Sequence, residues 1–301
     1  MADIKWFASV VLGTAMVSAL NAETRCPGNV DSLPFRLVNH HQMIVRVSIN
    51  HSGPYNFLLD TGTQVTLVDP SLAAELHLEP AGEAVVAAAK SRQSAAIASL
   101  DMLEVGSHVI ANQRVFVYGL QNLRGTLDIQ GVLGEDFLEH FDVLIDNVHQ
   151  LLCLDNTGAM RAEVRGPQIA LVPPSDAAEG SALGNLIIVE ARLSDATRPV
   201  RLMLDSGANG AILYNTAEYL HPPQTGHLQG TGMDGRGLMF SVLPPQDVKI
   251  DSLRLPGVPF VSLAGTQKDS RAKGFDGVLT LGLFRRVFIA SADHFAILEP
   301  R

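Results

Sequence analysis

Cysteine is nearly absent from this chain: Cys26 and Cys153 are the only two in 301 residues. Two thiols cannot build a structural zinc site without histidines at ligand spacing, and none of the ten histidines supplies it. The pair either forms one disulfide in an oxidising compartment, joining the start of the chain to the end of its first half, or stays as two free thiols. Charge is also sparse, at 18% of residues, and no basic block occurs anywhere. With a net charge of −9, nucleic acid and anionic membrane surfaces are poor partners. Beyond residue 20 there is no apolar run long enough to cross a bilayer. What the chain does have is a hydrophobic fraction of 47%, ample for packed cores.

The first residues carry one lysine, Lys5, then an almost uncharged stretch from Trp6 to Leu20 and the small-residue region before Glu23. This reads as a secretory signal peptide over residues 1–22, cut after Ala19 or Ala22, with an uncleaved anchor as the alternative. The expectation is an exported protein, periplasmic or secreted, with no stable membrane insertion after cleavage. Residues 23 to 35 are left open as a removable pro-segment.

A short phrase occurs twice, 145 positions apart: Phe57-Leu58-Leu59-Asp60-Thr61-Gly62-Thr63 and Leu202-Met203-Leu204-Asp205-Ser206-Gly207-Ala208. Each ends a strand, turn, strand pattern. Met43 to Ile49, a turn over residues 50–54 and Tyr55 to Leu59 deliver Asp60; Leu186 to Leu193, a turn over 194–199 and Val200 to Leu204 deliver Asp205. Gly131-Val132-Leu133-Gly134 lies 71 residues after Asp60, and Gly277-Val278-Leu279-Thr280 lies 72 after Asp205. From those glycines Gly131 to Leu152 aligns with Gly277 to Leu298 without a gap, which points to duplication of one lobe. The expected layout is an N-terminal lobe over 30–155, a connection over 156–182 with linker composition, and a C-terminal lobe over 183–301. Helical turns are expected at 70–76 and 216–220, and a bridging strand within 164–172.

A carboxylate at the end of an apolar strand is costly to desolvate unless it is hydrogen-bonded or paired, so two copies suggest two carboxyls meant to meet. Carboxyls a few ångströms apart cannot both ionise and share one proton over a wide pH range. A water between them then has a base for its proton and an acid for a carbonyl oxygen, which is amide hydrolysis without metal, cofactor or covalent intermediate. Rival chemistries fit less well. There is no Gly-x-Ser-x-Gly, neither cysteine has a nucleophile context, and a two-carboxyl glycosidase does not explain the hydroxyl residue and glycine after each aspartate. Asp101, Asp142, Asp146, Asp247 and Asp251 lack that following pair and are read as solvated or turn-forming.

These residues resemble the aspartic proteases, in a bilobal arrangement with retropepsin-like lobes, over about residues 30–300. The resemblance implies an all-β fold of two duplicated barrel-like lobes with a catalytic cleft between them, acting on peptide or protein substrates as a monomer. It implies Asp60 and Asp205 as the catalytic pair and Thr61 and Ser206 as interlocking hydroxyls. Gly62, Thr63 and Gly207 complete the active-site loops, and Val132, Leu133 and Gly134 form the supporting loop of the first lobe. The second supporting loop departs from the pattern, with Thr280 where glycine is expected. No aromatic residue occurs in 81–98, where the first lobe's flap falls. The glycine-rich stretch 226–242, with Gly232, Met233, Asp234 and Gly235 at its centre, is read as a flap hairpin or an exposed loop. A weakly active or inactive exported peptide-binding protein on the same scaffold is the alternative function. Thr63 has a hydroxyl to offer Asp60 where Ala208 has none for Asp205, which makes Asp60 the ionised partner.

Overall fold

A computed structural model of the chain describes residues 25–39, 41–88, 91–173, 186–221, 225–232, 237–263 and 274–301. The expected signal peptide, residues 174–182 of the expected connection, and Met233, Asp234 and Gly235 lie outside the described residues.

The protein is built almost wholly of β-strands, in one sheet for each lobe and a third sheet that the lobes share. In the first lobe the central strands are Gln42–Ile49 and Ser52–Leu59, joined by a two-residue turn at Asn50 and His51, both with positive φ. The turn is tighter than the expected 50–54, because Ser52, Gly53 and Pro54 already belong to the second strand. Ser52–Leu59 then lies parallel to Gly131–Leu133, with Leu59 opposite Leu133. In the second lobe Ile188–Leu193 and Val200–Asp205 repeat the antiparallel pair, and Val200–Asp205 lies parallel to Gly277–Thr280, with Asp205 opposite Thr280. Each aspartate therefore ends an interior strand whose neighbours on both sides are hydrogen-bonded to it. Phe57, Leu59, Leu202 and Leu204 are fully buried there, and this packing fixes where the carboxyls emerge.

The strand order is the same in both lobes from the aspartate strand outward to an edge hairpin. That hairpin is Pro80–Ala88 with Ser91–Val105 in the first lobe and Gly226–Thr231 with Gly237–Val242 in the second. The long strand Ser91–Val105 corresponds to two strands of the second lobe, Gly237–Val242 and Gln246–Ile250. Pro244 and Pro245 separate them, since proline has no N–H to give to a ladder. The helix Pro70–Glu75 and the 3-10 turn Thr216–Glu218 fall where helical turns are expected, and Asp69 caps the former through the Ser71 N–H.

The shared sheet has six strands, in the order Ser32–Pro34, Leu151–Asp155, Asp142–Asp146, Phe284–Ala290, Phe295–Pro300 and Ile169–Ala170. At its centre Val143 pairs with Ile289, its own counterpart in the alignment of the two halves, so the approximate two-fold axis passes between them. Of the bridging strand expected within 164–172, only Ile169–Ala170 forms, along the sheet edge. Cys26 and Cys153 are joined in a disulfide that ties the N-terminal segment to this sheet.

Two of the aspartates read as solvated or turn-forming, Asp142 and Asp146, are buried in the shared sheet, although Asp146 does form a turn there. Asp142 and Asp146 are each 4% exposed, because both ends of their strand abut cations that only the fold brings near. Arg161 binds Asp142 through two nitrogens, at 2.6 and 2.9 Å, and also reaches Asp293 of the second lobe. Arg286 lies 3.4 Å from Asp146, which also accepts the Val148 and His149 N–H groups. Asp101, Asp247 and Asp251 are exposed, in keeping with the expectation.

Candidate active site

The apolar runs Phe57 to Leu59 and Leu202 to Leu204 leave the two Asp-hydroxyl-Gly turns facing each other, and four buried hydrogen bonds lock them. The Thr61 hydroxyl donates to the Leu204 carbonyl at 2.9 Å, and the Ser206 hydroxyl donates to the Leu59 carbonyl at 2.8 Å. Each hydroxyl also accepts the other turn's N–H, from Ser206 to Thr61 and from Thr61 to Ser206, both at 3.0 Å. The exchange is reciprocal and almost symmetric. It satisfies the Thr61 and Ser206 N–H groups and the Leu59 and Leu204 carbonyls, which the tight approach of the lobes would otherwise strand.

The glycines report how close the two carboxyls come. A Cβ added at Gly62 would lie 2.5 Å from the Asp205 carboxyl carbon, and one added at Gly207 would lie 2.6 Å from that of Asp60. Each carboxyl thus rests on the other lobe's glycine. Asp60, Thr61, Gly62, Thr63, Asp205, Ser206 and Gly207 are brought together in one place.

The aspartates are not electrostatically equal. Burial pushes Asp60 above its ordinary value, against the pull of the Thr63 hydroxyl at 2.7 Å and the Gly62 N–H at 2.9 Å. Burial pushes Asp205 well above it, the charge of Asp60 adds to the rise, and only the Gly207 and Ala208 N–H groups, at 2.7 and 2.9 Å, oppose it. Of the two, Asp60 has the surroundings that favour the ionised form and Asp205 those that favour the proton. That is the order expected from Thr63 against Ala208.

Behind Asp60, the Asp60 N–H donates to Leu133 and the Glu135 N–H to the Thr63 carbonyl, at 3.0 and 2.8 Å. Val132, Leu133 and Gly134 form a fully buried wall there. At Gly134 a side chain would meet Val65 and Thr63 backbone within 2.8 Å, so only glycine fits. Asp136 completes the support by accepting the Thr66 N–H and hydroxyl and the Gln113 amide. Glu135 and Asp136 belong to no repeated phrase, so no motif marks them. They stand out only as positions where the gapless halves differ, opposite Leu281 and Gly282. Among the described residues no three His, Cys, Asp or Glu side chains converge as a metal site.

Gly232 lies next to the edge hairpin of the second lobe, away from the locked turns in sequence, and Met233 to Gly235 lie outside the described residues. Both edge hairpins carry exposed apolar side chains, Val85 on one and Leu228 and Met239 on the other.

Residues 45–137 match the family described as Aspartyl protease. The match spans about a third of the chain, within the first lobe. Among solved structures, the aspartic proteinase from Irpex lacteus is 11% identical, with a TM-score of 0.54 over 90% of this chain and 98% of that one. Basic 7S globulin from soybean is 10% identical, with a TM-score of 0.53 over 90% and 95%. A retropepsin-like aspartic protease from Rickettsia conorii is 20% identical over 42% of this chain and 92% of that one, with a TM-score of 0.33. The first two share the aspartic protease fold with this chain; a fold is not an activity. Comparison with curated proteins finds no match.

Proposed function

We propose that the protein is an aspartic endopeptidase in which Asp60 and Asp205 activate one water molecule against a peptide bond. The observation that carries this reading is the crossed packing of the carboxyls on Gly207 and Gly62; two carboxyls so placed cannot both ionise and share one proton. Asp60, ionised, takes a proton from the water as its oxygen bonds to the peptide carbonyl carbon. Asp205, protonated, gives its proton to the carbonyl oxygen, producing a neutral tetrahedral diol. The carbon–nitrogen bond then breaks as Asp60 passes its proton to the leaving nitrogen. Asp205 recovers a proton from a diol hydroxyl, and the pair returns to its starting state.

The exposed apolar residues Val85, Leu228 and Met239 on the two edge hairpins fit an extended chain with apolar side chains. Both aspartates come from one chain, which supports action as a monomer. The Cys26–Cys153 disulfide supports export to an oxidising compartment, where such bonds persist.

The test incubates the mature chain with a mixed peptide library from pH 3 to 8, beside Asp60→Asn and Asp205→Asn, with products read by mass spectrometry. Internal cleavage that both variants lose is expected. Absence of any aspartate-dependent product would favour a peptide-binding protein on this scaffold.

A further inference from the structure

Directly behind the two aspartates the lobes solve one packing problem in different ways. In the first, Gly134 brings supporting backbone against catalytic backbone, and the Thr63 carbonyl accepts the Glu135 N–H. In the second, Thr280 stands in place of that glycine, 5% exposed and directly opposite Asp205 in the parallel ladder. Its hydroxyl donates to the carbonyl of Ala208, the counterpart of Thr63, at 2.7 Å, and accepts the Gly282 N–H at 3.2 Å. A hydroxyl has one proton to give, so its direction is set.

Ala208 is therefore pinned from both sides. Its carbonyl is held by Thr280, and its N–H, with that of Gly207, is aimed at one oxygen of Asp205. In the first lobe the Thr63 hydroxyl also holds its aspartate. Ala208 has no such group, so the aim of the two N–H groups depends on how firmly the loop is held.

We propose that Thr280 is the positioning residue of the second catalytic loop, its hydroxyl fixing the Ala208 carbonyl so that Gly207 and Ala208 present their N–H groups to Asp205. The proposal rests on the peptidase reading of the pair. The alternative is that Thr280 only caps the 3-10 turn Leu281–Leu283. Hydrogen bonds to a carboxylate favour its ionised form, so a loosened loop holds the Asp205 proton more tightly. Loss of a cap alone lowers stability and leaves the carboxyls where they are.

The experiment labels aspartate carboxyls with carbon-13 and titrates the pair by NMR in the wild type, Thr280→Val and Thr280→Ser. Thr280→Val is expected to move the higher of the pair's two titrations upward, and Thr280→Ser to restore it. Peptide cleavage should follow the same order, with kcat about ten-fold lower in Thr280→Val and KM within about two-fold of wild type. If Thr280→Val does not fold, Thr280→Ala also lacks the hydroxyl and carries the same expectation. A titration superimposable on wild type, or a shift that serine does not reverse, overturns the proposal. Absence of cleavage by the wild type fails the peptidase reading alone, because the titration needs no turnover.

Discussion

Glu135 and Leu281 occupy equivalent places in the two lobes, one residue after Gly134 and Thr280, and both are buried, at 2% and 0% exposure. Burial pushes the Glu135 carboxyl well above its ordinary value of 4.5, and the charged groups acting on it, Glu139, Asp60 and Asp136, are all acidic and push the same way. Burial and charge both favour the neutral form of Glu135. An acid whose folded value is raised contributes its full stability below the unfolded value and loses it as pH rises through the folded one.

Glu135→Leu, which copies the second lobe, should therefore gain stability relative to the wild type as pH rises above about 4.5. Thermal unfolding followed from pH 3 to 8 checks this. Two parallel stability curves would show that Glu135 carries no linked proton.

Thr63→Ala removes a hydrogen bond that favours ionised Asp60. The proton affinity of Asp60 should rise, and the acidic limb of the kcat profile should move to higher pH with it. Cleavage rates measured across the acid range read the shift directly; an unmoved limb counts against Asp60 as the base.

Thr61→Ala strands the buried Leu204 carbonyl and Ser206 N–H together. Leaving two buried polar groups unpaired costs about 2–4 kcal/mol, which denaturant unfolding measures. Ser206→Ala should cost a similar amount. Because the four bonds form one network, the double variant should lose less than the sum of the two.

Gly62→Ala and Gly207→Ala act across the lobes. The methyl at position 62 displaces Asp205 and the one at 207 displaces Asp60, since each would lie within 2.6 Å of the other lobe's carboxyl carbon. Moving either group by about an ångström should lower kcat at least about 100-fold. Folding is read separately by circular dichroism, and a folded variant with wild-type kcat would falsify the crossed arrangement.

Much of the site was legible in the chain. Strand periodicity ending in Asp60 and Asp205 is local, and the matching glycine elements fixed the register of the duplication before any contact was known. The asymmetry of Thr63 and Ala208 was equally readable, because both act on an aspartate three residues or fewer away. The burial of Asp142 and Asp146 was hidden for the opposite reason. Their partners Arg161 and Arg286 approach only when the shared sheet forms, so their burial had no local sign. Thr280 looked like a defect in a motif until the Ala208 carbonyl lay opposite its hydroxyl.

Sequence alone determined the architecture of this protein: two like lobes, each carrying one acid at a strand end, because alternation, turn residues and the doubled motif are properties of short segments. The tertiary structure decided that Glu135 is buried among carboxyls, that each aspartate rests on the other lobe's glycine, and what holds each catalytic loop. Those outcomes depend on desolvation and on charges and hydrogen-bond partners supplied by distant parts of the chain, and no window of neighbouring residues contains them.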